Sequence, residues 1–132
     1  MTTVAPSFAA QYLTSVTGKR PEILIVCGSG LSHLSESIDN PISVGYGDIP
    51  GFKMSTVSGH CGELVFGTMD GIEVVCMRGR FHFYEGYDMS QVVFPIKVMR
   101  LMGCKLMIAT NAAGGLNESF NVGDIVCIQD HF

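Results

Sequence analysis

Residues 22–31, E-I-L-I-V-C-G-S-G-L, contain the clearest indication of the fold class. Residues 22–27, mostly apolar and partly β-branched, predict a buried strand, and a Gly-Ser-Gly turn follows directly. Leu31, Leu34 and Ile38 then recur at helical spacing, which predicts a short helix after the turn. A strand that enters a helix through a tight glycine turn is typical of the α/β class.

The segments on either side of this stretch continue the pattern. A helical stripe precedes it and ends at Gly18; its members are Phe8, Tyr12, Leu13 and Val16. Residues 46–54 are irregular. Residues 63–69 and 72–77 then read as two strands around Asp70-Gly71, the preferred residue pair for a tight type I′ hairpin.

The second half of the chain supplies one more helix and two more strands. Asp88 or Ser90 can cap the helix, Pro95 marks a kink or its first turn, and Gly103 ends it. Residues 106–110 and 125–129 read as strands. We therefore predict an α/β fold with a mixed β-sheet flanked by helices. We expect residues 1–132 to form a single domain with an N-terminal helix at 1–18. A strand so near Phe132 suggests that the domain is the front part of a larger unit.

Composition excludes several classes of protein. The 132 residues are 47% hydrophobic and 15% charged, which argues against disorder, and no apolar run approaches the ~20 residues of a membrane span. The net charge of −4 gives no support for nucleic-acid binding. The first ten residues lack the features of a secretory signal, and the five cysteines form no C-x-x-C pair. We expect a cytoplasmic protein with buried, reduced thiols and no membrane partner.

The Gly28-Ser29-Gly30 turn is a candidate anion site. Free N–H groups at the start of a helix, with Ser29 beside them, suit a phosphate. A dinucleotide fingerprint would need a third glycine where this chain has His33, and the Lys of a P-loop is absent as well. A simple tight turn is the alternative interpretation.

Residues 78–87, R-G-R-F-H-F-Y-E-G-Y, form the most polar cluster. Arg80, His82 and Tyr84 alternate with phenylalanines, so an extended segment would place all three on one face. Arginine supplies a bidentate fork for phosphate, and Glu85 is close enough in sequence to orient an imidazole. The alternative is that this aromatic cluster serves packing alone.

Two further glycine-rich stretches have both a functional and a structural interpretation. T-N-A-A-G-G at 110–115 ends a strand, where open α/β sheets bind ligands, although Asn111 could simply satisfy a local turn. His60 lies between glycines in a loop and, taken alone, is more often structural. His33 and His131 are also interpreted as structural.

Taken together, four ordered blocks resemble the trimeric purine nucleoside phosphorylases. They are G-S-G-L at 28–31, G-H-x-G at 59–62, G-R-F-H-x-Y-E-G-Y at 79–87 and T-N-A-A-G-G at 110–115. The similarity continues through G-L-N-E-S-F-N-V-G-D-I at 115–125 and covers the chain from about Pro21 onward. The resemblance implies a nucleoside phosphorylase-like fold that is incomplete at its C-terminus.

The resemblance also implies a role for individual residues. Inorganic phosphate would be bound by Ser29, His60, Arg80, His82 and the backbone N–H of Ala112. The nucleoside-binding residues would be Tyr84, Asn111 and Ala112, with Tyr84 on the ribose. The catalytic candidates would be His82, Glu85, which holds it, and Asn111.

The implied reaction is phosphorolysis of a purine nucleoside to the free base and ribose 1-phosphate. Inorganic phosphate is a co-substrate of this reaction, and the resemblance implies no metal and no cofactor. The resemblance also implies a homotrimer when the chain is complete. Family members are longer, and their base-recognising residues lie beyond the stretch matched here. We therefore keep a second hypothesis, a non-catalytic truncated form that binds phosphate or a full-length partner. An unrelated dinucleotide-binding module is the third.

Overall fold

The computed structural model describes residues 4–53 and 62–131. Within these ranges lie two α-helices, α1 (Pro6–Thr17) and α2 (Met89–Met102), and five strands. The strands are β1 (Ile23–Cys27), β2 (Asp39–Gly45), β3 (Glu63–Met69), β4 (Ile72–Arg78) and β5 (Leu106–Ala109). Short 3₁₀ helices cover Ser32–Ser37, Tyr46–Asp48 and Phe83–Glu85.

The five strands form one mixed sheet in the order β2-β3-β4-β1-β5. β1 runs parallel to both β4 and β5, whereas β3 is antiparallel to β2 and β4. The prediction of an α/β fold around a mixed sheet is confirmed. Because β1, β4 and β5 are parallel, their carboxyl ends lie at the same edge of the sheet, where ligands bind in such folds.

The core divides into two clusters because the strands alternate between the faces of the sheet. The larger cluster joins Leu64, Phe66 and Val75 to residues of both helices, including Leu13 and Val98. The smaller cluster joins the strand residues Cys27, Val65, Val74 and Cys76 to Ile38, which directly precedes β2. This period of two is what half-buried strands require. Within the described ranges, no helix is long and apolar enough to cross a membrane.

Local sequence signals account for the turns and helix ends. Asp70 and Gly71 both have positive φ (48° and 79°), as a type I′ hairpin needs. Asp88 caps α2: its Oδ1 accepts from Gln91 N at 2.9 Å, and its N–H donates to Gln91 Oε1 at 3.0 Å. Pro95 lies buried inside the helix rather than in its first turn.

The predicted helix after Gly-Ser-Gly is a six-residue 3₁₀ helix rather than an α-helix. Ser35 Oγ donates to the Ser32 carbonyl at 2.8 Å and so competes for a main-chain acceptor that an α-helix would use. An anion at this turn would therefore be held by loop N–H groups and Ser29, not by a helix dipole. Residues 39–45, for which we predicted no strand, form β2.

The predicted strand at 125–129 is wrong. Residues 125–131 have no regular structure, and Ile125 is fully exposed. A strand needs a neighbour for its backbone hydrogen bonds, and no strand of the described sheet pairs with this segment. Cys127 is consequently exposed, so the expectation of buried thiols fails there, while Cys27, Cys76 and Cys104 are buried and unpaired.

Candidate active site

A pocket of about 130 Å³ opens where β1 and β4 end. Cys27 and Arg78 are register partners at these two strand ends, so the chain segments that follow them leave the sheet side by side. The lining residues are Cys27, Gly28, Ser29, Gly30, Ser32, Gly79, Arg80, His82, Tyr84 and Glu85. Two stretches far apart in sequence thus build one concave site.

His82 is held from both sides of its ring. Its Nδ1 lies 2.6 Å from Glu85 Oε1, which also accepts from the His82 backbone N at 3.0 Å. Its Nε2 accepts from Arg80 Nε at 3.3 Å. Because Nε2 is the acceptor, the neutral ring carries its proton on Nδ1 and donates it to the carboxylate. Glu85 therefore sets both the tautomer and the orientation of the imidazole.

The carboxylate of Glu85 is not fully used by these contacts. Its side chain is only 7% exposed. Its second oxygen, Oε2, is buried and has no hydrogen-bond partner among the described residues. A buried anion of this kind favours a cationic environment beside it, which Arg80 supplies at the far nitrogen of the same imidazole.

The alternation predicted for residues 80–84 has a clear structural outcome. Arg80, His82 and Tyr84 line the pocket, while Phe81 is 4% exposed and packs into the larger core cluster. Tyr84 lies in a 3₁₀ turn rather than in an extended segment, and its ring stacks on His82 with centroids 4.6 Å apart. With 81% of Tyr84 exposed, its outer face is open to a ligand.

One wall of the pocket begins at Gly28, where the end of β1 closely approaches the end of β5. A Cβ built on Gly28 would lie 2.4 Å from the Thr110 carbonyl oxygen, so only glycine fits there. Thr110 Oγ1 accepts from Gly28 N at 2.8 Å and donates to the Val26 carbonyl at 2.9 Å. This junction fixes where the Ser29 loop begins.

Tyr46 supports the pocket from behind, a role that we did not expect from its irregular sequence context. It is 2% exposed, and its hydroxyl donates to the Gly79 carbonyl at 2.5 Å, one residue before Arg80. Burial is the main cause that raises the pKa of this hydroxyl, so it stays a neutral donor. The only sequence signal was an aromatic residue between two glycines.

The structure distributes the predicted site residues unevenly. Five of them share the pocket: Ser29, Arg80, His82, Tyr84 and Glu85. Asn111 and Ala112 follow β5 at the same edge of the sheet but do not line it, and the Asn111 side chain donates to the Ala112 carbonyl at 3.1 Å. The prediction for His60 lies outside the described residues.

The cysteine at the floor of the pocket is a poor nucleophile. Cys27 is 3% exposed, and burial raises the pKa of its thiol. Its neighbour in the same cluster, Cys76, has its pKa raised to about 12, again mainly by burial. Both thiols are neutral at physiological pH, so the chemistry of the pocket falls to Arg80, His82 and Glu85. Within residues 4–53 and 62–131, no three His, Cys, Asp or Glu side chains are grouped to hold a metal.

The chain is similar to known proteins over most of its length. Residues 22–132 match the family model of the phosphorylase superfamily. Purine nucleoside phosphorylase 1 of Bacillus subtilis is 49% identical over 123 residues, which are 93% of this chain and 45% of the relative. The rat purine nucleoside phosphorylase is 50% identical over 122 residues, covering 92% of this chain and 42% of the relative.

Solved structures agree with the sequence comparison. A purine nucleoside phosphorylase in complex with ribose-1-phosphate superposes with a TM-score of 0.85 at 47% identity, covering 90% of this chain and 44% of that one. The Schistosoma mansoni enzyme in complex with inosine gives 0.84 at 45% identity, covering 90% and 41%. The chain thus spans less than half the length of these relatives. It belongs to the phosphorylase superfamily, and the resemblance to purine nucleoside phosphorylases expected from its motifs is confirmed.

Proposed function

We propose that this chain supplies the phosphate-binding part of a purine nucleoside phosphorylase, an enzyme that cleaves purine (deoxy)ribonucleosides with inorganic phosphate. The observation that carries the proposal is the convergence of Ser29, Arg80 and His82 on one pocket at the ends of β1 and β4. Sequence identities of 49% and 50% to enzymes of that name support the proposal.

The pocket has the chemistry of an oxyanion site. Arg80 offers a permanent positive charge, and Ser29 a hydroxyl beside exposed loop N–H groups. His82 Nε2 can accept a proton from a phosphate hydroxyl, or donate to a phosphate oxygen once the ring is protonated, while Nδ1 stays bound to Glu85. A phosphate would compete with His82 for the Arg80 guanidinium, so binding and reorientation of these two side chains are linked.

The nucleoside would lie on the open side of the same pocket. Tyr84, exposed and stacked on His82, suits the ribose, and Asn111 with the Ala112 N–H borders the nucleoside from the end of β5. We assign the same neighbourhood to His60, beside the phosphate, from the resemblance alone. These assignments are part of the proposal.

The reaction needs no covalent enzyme intermediate. The N-glycosidic bond breaks with its electron pair passing to the purine, which gains a proton, and a phosphate oxygen bonds to the anomeric carbon. Positive charge develops on the ribose between these two events. A phosphate held by Arg80 and His82 next to Tyr84 is positioned to stabilise that charge and to collapse onto it.

The proposal includes the finer expectations that come with the family. Phosphate is a co-substrate and no cofactor is used, the complete enzyme is a homotrimer, and it acts in the cytoplasm. Residues 1–132 form a single domain that is the N-terminal portion of a nucleoside phosphorylase domain. Analytical ultracentrifugation of a complete chain would test the trimer.

The experiment that tests the proposal is an inosine phosphorolysis assay on two proteins. One is the 132-residue chain; the other is a chimera in which it replaces the matching 123 residues of the B. subtilis relative. We expect the chimera to release hypoxanthine and ribose 1-phosphate in equal amounts, and only with phosphate present. The chain alone is expected to be inactive, since rate requires that the leaving base also be held in the transition state.

The second candidate, a non-catalytic chain that binds phosphate, predicts another result. In that case the chimera would be inactive although it folds and the chain binds phosphate. Turnover by the chain alone would contradict our view of which residues the chemistry needs.

A further inference from the structure

The geometry points to a positioning residue, Thr110, to which neither the resemblance nor the proposed function gives a role. Thr110 is the residue after β5, and it contacts both walls of the phosphate pocket without lining it. Its backbone N and its Oγ1 both donate to the Val26 carbonyl, at 3.0 and 2.9 Å. The backbone bond fixes the main chain of Thr110, and the hydroxyl bond fixes the orientation of its side chain.

In that orientation, Thr110 Oγ1 can accept a hydrogen bond from the start of the Gly28–Gly30 loop. The Gly28 N–H donates to it at 2.8 Å. Gly28 is buried, and its N–H is the last main-chain donor before Ser29 and Gly30. Without the hydroxyl, the buried Gly28 N–H would have no acceptor. The free-energy penalty of an unsatisfied buried donor is large enough to shift the loop.

Thr110 also reaches the other wall through its carbonyl oxygen. Arg80 Nη1 donates to this oxygen at 3.4 Å, and the same oxygen is the atom that a Cβ on Gly28 would approach to 2.4 Å. One residue thus touches the loop that carries Ser29 and the guanidinium opposite it.

We propose that Thr110 positions the two halves of the phosphate site, with its hydroxyl setting the Gly28–Gly30 loop and its carbonyl setting Arg80. This inference rests on the proposed phosphate site. Thr110 makes no direct contact with the anion; it keeps the donors at the separation that a phosphate requires.

The test uses three variants of the 132-residue chain and inorganic phosphate as the probe. Thr110→Val removes the hydroxyl at nearly constant volume, and Thr110→Ser restores it. Thr17→Val is the matched control, because Thr17 Oγ1 also accepts from a backbone N (Lys19, 3.1 Å) and donates to a carbonyl (Leu13, 2.7 Å), but in α1. Calorimetry gives the phosphate Kd, and hydrogen exchange resolved to Gly28 gives the state of the loop.

We expect Thr110→Val to weaken phosphate binding roughly five- to twentyfold and to accelerate Gly28 exchange by at least about tenfold. Thr110→Ser and Thr17→Val should stay within about twofold of the parent in both readouts. If Thr110→Val does not fold, Thr110→Ala, which adds no methyl group beside Gly28, takes its place with the same expectation.

The outcomes separate this inference from the proposal beneath it. Unchanged phosphate affinity in Thr110→Val, or equal losses in Thr110→Ser, would overturn the positioning role. If the parent chain binds no phosphate, the proposed site itself fails. Gly28 exchange then still decides the local claim, and an unaltered rate in Thr110→Val would overturn it.

Discussion

Glu85 accepts two hydrogen bonds from His82 through one carboxylate oxygen, from the ring Nδ1 at 2.6 Å and from the backbone N at 3.0 Å. The two residues are three positions apart, and the 3₁₀ turn at Phe83–Glu85 brings them together. The imidazole is consequently oriented before any ligand arrives. Such preorganisation costs nothing at the moment of reaction, which is where oriented groups contribute most to rate.

The first prediction tests this pair. Glu85→Gln keeps an oxygen that can accept from His82 Nδ1. It removes the negative charge from that side of the ring, while Arg80 still contacts Nε2 on the other side. We expect kcat of the B. subtilis chimera with inosine to fall roughly tenfold or more. Glu36→Gln, a change of the same type at an exposed residue, should have no effect. Equal kcat in the two variants would contradict the role of Glu85.

The second prediction concerns thiol reactivity. Burial raises the pKa of Cys76 to about 12 and that of Cys104 to about 11, and it raises that of Cys27 as well. A mild disulfide reagent at pH 8 should therefore label Cys127 quickly and these three only after unfolding. Peptide mapping assigns the sites, and Cys127→Ser should remove one fast-reacting group. Rapid labelling of Cys27, Cys76 or Cys104 in the folded chain would contradict their burial.

The third prediction is that the raised pKa values of Cys76 and Cys104 make the free energy of unfolding depend on pH. Since the folded pKa values lie above the ordinary value of 9.0, the folded state keeps these protons when the unfolded state has lost them. The contribution of these buried thiols to the free energy of unfolding is complete below pH 9 and declines as pH rises towards 11. We expect Tm to fall over that range, and to fall less steeply in Cys104→Ala. Cys127→Ser, at an exposed thiol, should leave the slope unchanged.

The fourth prediction concerns the cap of α2. A hydrogen bond from Ser90 and one from the Gln91 backbone N–H lower the pKa of Asp88. Asp88→Ala should lower Tm by a few degrees at pH 7, and Asp88→Asn should recover most of the loss because it keeps the cap oxygen. A lowered carboxyl pKa contributes stability above the ordinary value of 3.8 that disappears as pH falls below it. A difference in Tm between Asp88→Ala and the parent that persists undiminished at pH 2 would refute the charge contribution.

The fifth prediction concerns the apolar surface around β5. Leu106, Met107 and Ile108 on this edge strand are 53%, 50% and 44% exposed, which favours association between chains. The 132-residue chain should therefore elute well above the 14.2 kDa of a monomer. Ile108→Lys should shift it towards monomer, whereas Ile72→Lys, at an isoleucine of the same 44% exposure outside β5, should not. A monomeric parent chain would contradict this reading.

Short-range signals predicted much of the fold. The strand predicted at 22–27 and observed at Ile23–Cys27, the Asp70-Gly71 hairpin and the Asp88 cap depend on residues within a few positions of one another. Local sequence patterns therefore predicted them. The period-two alternation likewise brought Arg80 and His82 to one pocket as expected. β2 was missed because its Asn40-Pro41 start and mixed polarity hide an edge strand that only its pairing with β3 defines.

Local sequence patterns could not predict contacts between residues far apart in the chain. Thr110 meets Gly28 across 82 positions, and Tyr46 meets Gly79 across 33. Neither contact leaves a local pattern, because each depends on which strand lies beside which. The strand predicted at 125–129 failed for the same reason, since β-branched residues alone do not supply a neighbouring strand.

In the proposed function, the pocket at the ends of β1 and β4 holds phosphate for nucleoside cleavage. The decisive measurement compares the KM for phosphate with the KM for inosine in the B. subtilis chimera carrying Arg80→Ala. We expect a phosphate KM roughly ten- to hundredfold higher, because a charge-assisted hydrogen bond is lost, with inosine KM changed much less. Arg20→Ala, at an exposed arginine outside the pocket, should change neither. Unchanged phosphate KM and kcat in Arg80→Ala would contradict the assignment of this pocket.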